Sequence, residues 1–175
     1  MALNQRIFEM TRETRETRIT ARLTLEGAGE GDVSTGIGFL DHMLASFTFW
    51  GGFDLSINCD GDLEVDDHHT VEDCGLVLGA LFDGALAERR GIARFGTAYA
   101  PMDEALARVV VDLSGRPYCV AELHTVRENL GALSLENVPH FFAAFAQGAR
   151  ANVHVDVLRG ENDHHKVEAL FKALG

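Results

Sequence analysis

Two stretches of the chain read alike: Asp67-His68-His69-Thr70-Val71-Glu72-Asp73 and Asp163-His164-His165-Lys166-Val167-Glu168-Ala169. Working outward, HMLASF at 42–47 matches HFFAAF at 140–145, and FDLSINCDGD at 53–62 falls where NVHVDVLRGE at 152–161 falls. His42 precedes His68 by 26 positions and His140 precedes His164 by 24. Three matches in one order at nearly equal spacing mark an internal duplication. The expected fold is α+β, made of two half-domain repeats, residues 1–92 and 93–175, joined in one compact domain.

Each repeat reads as strand, strand, helix, strand, helix. In the first, Ile19 to Leu25 alternates with its apolar residues on one face, and Asp32 to Gly38 is a short returning strand. Leu40 to Trp50 is a helix stopped by Gly51-Gly52, and Phe53 to Cys59 alternates again. A long apolar-periodic helix is expected from His68 to about Arg90, ended by Gly91. In the second, Ala105 to Leu113 and Tyr118 to His124 are strands, Leu135 to Ala149 a helix, Asn152 to Leu158 a strand and Asn162 to about Leu174 the last helix. TRETRETR at 11–18 reads by composition as a frayed polar arm.

The chain has 175 residues, 46% of them hydrophobic, enough for a real core. Its formal charge is −12, which disfavours a phosphate-backbone binder, so no nucleic-acid partner is expected. Seven acids and no bases lie between Asp60 and Asp73, a run that is either a solvated face or one balanced by cations. Cys59, Cys74 and Cys119 form no CxxC, and a reducing cytoplasm fits them. Residues 1–18 lack an apolar signal core, and no stretch approaches 18 apolar residues, so no membrane span is expected.

Six of the eight histidines sit in the repeated motifs. On a helix, positions i and i+4 share a face, so His68 with Glu72, and His164 with Glu168, can point at one ion. His69 and His165 lie about 100° further round and face elsewhere. Nitrogen-rich sets with one carboxylate suit Mn, Fe, Co or Zn rather than Ca or Mg. Taken alone, each HHxxE equally fits a solvated helix start with Asp67 or Asp163 as N-cap. The doubling, with a histidine upstream each time, favours metal. His124 and His154 have no repeat partner and read as structural or surface residues. Arg94, Arg116, Lys166 and Lys172 are positive groups near turns or beside the second HHxxE helix and together read as an anion pocket, most simply for phosphate.

The stretch 12–17, GIGFLDHML at 36–44, DDHHTVEDCG at 66–75, ARFGTAYAPMDEAL at 93–106, DLSGRPY at 112–118, NVPHFF at 137–142 and NDHHKVEALFKAL at 162–174 are jointly specific. Through them the sequence resembles the imidazoleglycerol-phosphate dehydratase family of histidine biosynthesis over essentially the whole chain. The resemblance implies half-domains that are each a four-stranded sheet with two helices on one face. It implies two Mn2+ ions, one held by His42, His69, His164 and Glu168, the other by His68, Glu72, His140 and His165. It implies that ligands of one site come from neighbouring subunits of a 24-subunit homo-oligomer built from trimers.

The implied reaction dehydrates D-erythro-imidazole-glycerol 3-phosphate to imidazole-acetol phosphate, with Glu16 as acid–base and Arg94, Arg116 and Lys172 at the phosphate. Nothing in periodicity marks Glu16. Family members usually continue past the last helix into a Gly/Ser/Lys tail that touches substrate, whereas this sequence stops at Leu174-Gly175. Two other readings compete: a dinuclear enzyme acting on a phosphate ester, separable by release of free phosphate, and an inactive metal-binding shell protein, separable by metal-dependent turnover.

Overall fold

The computed structural model describes residues 5–175; the first four residues of the segment read above for a signal core lie outside that range. The strands are β1 Ile7–Glu13, β2 Thr17–Thr24, β3 Gly31–Ser34, β4 Asp54–Gly61, β5 Phe95–Met102, β6 Ala105–Asp112, β7 Tyr118–Glu122, β8 Asn129–Leu130, β9 Leu133–Ser134 and β10 Asn152–Arg159. The helices are α1 Gly38–Gly51, α2 His68–Leu86, α3 Asn137–Ala149 and α4 Asp163–Leu174.

The duplication is visible in the sheets. One runs β1-β2-β4-β3 and the other β5-β6-β10-β7. In both, the first two strands form an antiparallel hairpin, the third partner is antiparallel and the edge strand is parallel to it. Alternation decides the inner face. Ile19, Ala21 and Leu23 of β2 and Leu55, Ile57 and Cys59 of β4 are buried, as are Ala105, Ala107 and Val109 of β6 and Val153, Val155 and Val157 of β10. Two helices cover each sheet, and helices of the two halves pack on one another: α2 against α3, and α1 against α4.

The α2–α3 seam runs through glycine. A Cβ added at Gly75 would stand 2.6 Å from the Phe141 carbonyl oxygen, and one at Gly79 would stand 2.5 Å from the Ala149 nitrogen. No side chain larger than hydrogen fits without parting the helices.

Four local expectations change. TRETRETR is not a frayed arm. Residues 11–13 complete β1 and 17–18 begin β2, because Ile7 to Glu13 finds a backbone partner in every residue of β2 from Arg18 to Thr24. β5 likewise precedes the strand that opens the second repeat, so each half has three strands of its four-stranded sheet before its first helix. Both first strands are largely exposed edges, which leaves them little apolar alternation. β3 does not return along β2; it runs parallel to β4 at the other edge. Finally, α2 stops at Leu86, not Arg90. Ala87 and Arg89 take φ of 48° and 55°, and the Arg89 guanidinium turns back to Asp83 and to the carbonyl oxygens of Ala149 and Arg150. The cysteines are free, Cys59 and Cys74 buried and Cys119 half-buried. Among the described residues, no helix is long and apolar enough to cross a membrane.

Candidate metal centre

Helix α4 lifts His164 and Glu168 onto one face, and α1 brings His42 from the other repeat to meet them. Glu168 Oε2 lies 3.0 Å from His164 Nε2 and 3.3 Å from His42 Nε2. The donor atoms of all three fall within 4.8 Å of one another, the one such group found among the described residues. Two imidazoles and one carboxylate at that spacing fit a borderline divalent cation. The Phe39 ring stacks edge-on against His164, centroids 5.0 Å apart, and fixes its plane. Lys172 Nζ holds Glu168 Oε1 at 3.2 Å, leaving Oε2 for the histidines. Burial pushes the Glu168 carboxyl up, but the hydrogen bonds from Lys172, His42 and His164 outweigh it and hold the group ionised below the ordinary range.

The equivalent helices α2 and α3 bring together the equivalent residues. His68 Nε2 and Glu72 Oε2 are 3.0 Å apart, and the His68 and His140 rings lie 5.0 Å centroid to centroid. Behind them stands a relay that sequence reading missed. Asn137 Oδ1 faces His68 Nδ1 at 3.0 Å, and Asn137 donates through Nδ2 to Asp67 at 3.0 Å. Asp67 accepts in turn from the Ser134 N–H and hydroxyl. Asn137 is one helical turn before His140, which is the spacing that could have revealed it.

Asp67 does hold the N-cap position of α2, but its side chain caps no N–H of that helix, and the N-cap of α4 is Asn162, not Asp163. Asp66 Oδ1 accepts from the His68 N–H, and Asn162 Oδ1 from the His164 N–H, both at 2.9 Å. Asp163 is buried, accepting from the N–H groups of Val126 and Arg127 and from Lys166 Nζ. Lys166 is 4% exposed and also donates to the His124 carbonyl, so it leaves the anion-pocket set and becomes a core strut.

His69 and His165 stay outside both groups. His69 Nδ1 faces both Asp62 oxygens at 3.0 and 3.2 Å, and His165 Nδ1 faces Glu104 Oε2 at 2.8 Å. These carboxylates raise both imidazoles above their ordinary range. Backbone N–H bonding from Asn162, then the His165 contact, depresses Glu104 to about 2. The acidic run thus is partly balanced, with Asp62 on His69 and Asp73 on Arg12.

Glu16 occupies the exposed turn between β1 and β2, its carbonyl accepting from the Asp62 N–H at 3.0 Å. Its charge is among those acting on His69. Arg94 is ion-paired with Asp112 at 2.6 Å, and exposed Arg116 acts on the same carboxylate. Lys172 belongs instead to the Glu168 end of α4. An apolar cleft of about 630 Å³ lined by Phe47, Phe53, Phe82 and Phe145 includes Arg94 at its edge but none of the histidines.

The imidazoleglycerol-phosphate dehydratase family matches residues 35–175. The chain is 49% identical to the imidazoleglycerol-phosphate dehydratase of Acinetobacter baumannii (strain AYE), over 99% of this chain and 86% of that protein. It is 54% identical to that of Salinibacter ruber, over 98% and 85%. The crystal structure of the Staphylococcus aureus enzyme superposes with a TM-score of 0.85 at 41% identity, over 95% of this chain and 92% of that one. The Pyrococcus furiosus structure, a complex with (S)-C348, gives 0.81 at 37%, over 94% and 88%. With the duplicated sheets and the His42–His164–Glu168 group lying inside the matched span, the chain belongs to the imidazoleglycerol-phosphate dehydratase family.

Proposed function

We propose that this protein dehydrates D-erythro-imidazole-glycerol 3-phosphate to imidazole-acetol phosphate, as a metal-dependent carbon–oxygen lyase of the cytoplasm. The observation that carries the reading is the His42–His164–Glu168 group within a chain of this family. The reading assigns Mn2+ to two sites: His42, His69, His164 and Glu168 at one, and His68, Glu72, His140 and His165 at the other. His69 and His165 point away from the groups of their own chain, which supports their serving a neighbouring copy.

Bound divalent cations supply Lewis acidity that lets the imidazole ring accept electrons when the C–H beside it ionises. The protein's own groups do the rest. Glu16, exposed and unpaired with any base in its turn, moves the proton at that carbon. Arg94 and Arg116, already converging on Asp112, exchange that partner for the substrate phosphate. Lys172 joins them from α4 as a mobile point charge beside Glu168.

The assembly proposed is a 24-subunit particle made of trimers. Support comes from a contrast between the two sheets. The outward face of the first exposes Arg18, Thr20, Arg22, Ser56 and Asn58, whereas the second exposes Phe95, Tyr99 and Tyr118.

The test is absorbance of the keto product after substrate is added to metal-free protein and then to protein reloaded with Mn2+. Product should form only after reloading. Free phosphate in place of a phosphorylated ketone would refute the dehydratase and favour a phosphate-ester hydrolase.

A further inference from the structure

Superposing the repeats by their ladders exposes a position with two fates. Ile19 pairs with Cys59 in one sheet as Ala107 pairs with Val157 in the other, and Leu23 pairs with Leu55 as Val111 pairs with Val153. Glu16, three residues before Ile19, therefore corresponds to Glu104, three before Ala107. Both stand in the hairpin turn just ahead of the second strand of their sheet. His69 and His165 correspond as well, each being the second histidine of its motif.

The correspondence breaks at the contact. Glu104 holds His165 directly, Oε2 to Nδ1 at 2.8 Å. Glu16 makes no hydrogen bond to His69; Asp62, from the end of β4, makes it instead. A carboxylate on Nδ1 selects the tautomer with the proton on Nδ1 and leaves the Nε2 lone pair free. Among the described residues the Nε2 nitrogens are not drawn into tight bonds: the one ion-pair partner of His165 Nε2 there is exposed Asp103 at 3.9 Å.

We propose that Asp62 and Glu104 are positioning residues that hold His69 and His165 with Nε2 turned outward as a metal donor. Asp62 performs in the first repeat the task Glu104 performs in the second, and so leaves Glu16 unengaged. The metal clause rests on the function proposed above; the tautomer clause does not.

The two carboxylates differ in a way that sharpens the test. Glu104 spends Oε1 on the N–H groups of Glu161 and Asn162 and only Oε2 on the histidine. In Glu104→Gln the amide oxygen must stay with those N–H donors, so the amide NH2 faces His165 Nδ1 and can only donate. The imidazole must then carry its proton on Nε2, where it cannot ligate. Asp62 offers both oxygens to Nδ1, so Asp62→Asn can turn its remaining oxygen to the ring and keep the tautomer.

The experiment is two-dimensional 1H–15N NMR of the histidine rings in metal-free protein above the imidazole titration, together with Mn2+ titration followed by electron paramagnetic resonance. His69 and His165 should be Nδ1–H in the unaltered chain. Glu104→Gln should convert His165 to Nε2–H and weaken one class of Mn2+ site roughly 10- to 100-fold. Asp62→Asn should preserve both signals, Asp62→Ala should lose the His69 preference, and Glu16→Gln should leave the His69 tautomer unchanged. Retention of Nδ1–H at His165 in Glu104→Gln, or unchanged Mn2+ binding there, would overturn the proposal. An unaltered chain that binds no Mn2+ would instead refute the functional reading and the metal clause with it, while the tautomer result still decides positioning.

Discussion

Replacing Gly79 by alanine sets two known effects against each other. Gly79 lies inside α2, where alanine is the better helix former by about 1 kcal/mol. Its added methyl, however, would stand 2.5 Å from the Ala149 nitrogen and 2.9 Å from the Gly148 carbonyl carbon, both backbone atoms that cannot rotate away. Ordinary contact begins near 3.4 Å, and the Phe145 carbonyl oxygen would stand closer still, so α2 and α3 must part by more than about 0.9 Å at that point. Overpacking of this kind costs about 1–3 kcal/mol, and against rigid backbone the upper end applies, so after the propensity gain of about 1 kcal/mol we expect net destabilisation of about 2 kcal/mol. Gly38, at the start of α1, is the control: a Cβ there meets nothing within 4 Å, and Gly38→Ala should stabilise. Urea midpoints of the three proteins measure both signs. A midpoint raised by Gly79→Ala would refute the argument that close backbone approach, rather than helix propensity, governs the seam. The same parting would carry His140 on α3 away from His68 and Glu72 on α2, so weaker Mn2+ binding should accompany the lowered midpoint.

Lys166→Met should destabilise by about 3–5 kcal/mol in urea unfolding, because Asp163, whose side chain is wholly buried, would lose the cation 2.9 Å away; an effect below 1 kcal/mol would show that the two backbone N–H donors suffice. Glu104 gives a pH signature. Its carboxyl is depressed from 4.5 to about 2, so between those pH values the unfolded chain binds a proton that the folded chain does not. Its contribution is fully present above about pH 4.5 and disappears as pH falls through 2; Glu104→Gln should flatten the acid-side stability slope in that window, and an unchanged slope would count against the contact.

The sequence carried the repeat because the repeated residues are those that neither fold nor charge balance would otherwise demand: paired histidines and a glutamate one turn later. The inner strands were equally legible, since β2, β4, β6 and β10 each bury one face and alternate accordingly. β1 and β5 escaped because an exposed edge strand needs only a partner's backbone, and backbone pairing leaves no mark on side-chain pattern. Lys166 misled for a related reason. A lysine beside a metal-type motif reads as solvent-facing charge until the loop at His124 and Asp163 is seen to enclose it. Asp62, Glu104 and Asn137 act across 7, 61 and 69 positions, and only the Asp62 contact is local enough to be read along the chain.

The His42–His164–Glu168 group takes one histidine from the first repeat and a histidine with its glutamate from the second; the His68–Glu72–His140 group does the reverse. A single ancestral half, pairing with a copy of itself about a two-fold axis, would therefore have owned both groups in full and in identical form. Fusion of two such halves would have cost no ligand, and it would have freed the two copies to drift apart. The two copies now differ at the hairpin turns, where Glu104 braces His165 while His69 is braced by Asp62 in place of Glu16. On the two-site reading proposed above, a symmetric ancestor would bind metal twice in the same way, whereas a fused chain would hold two centres with different neighbours and so would tell one end of an unsymmetrical molecule from the other.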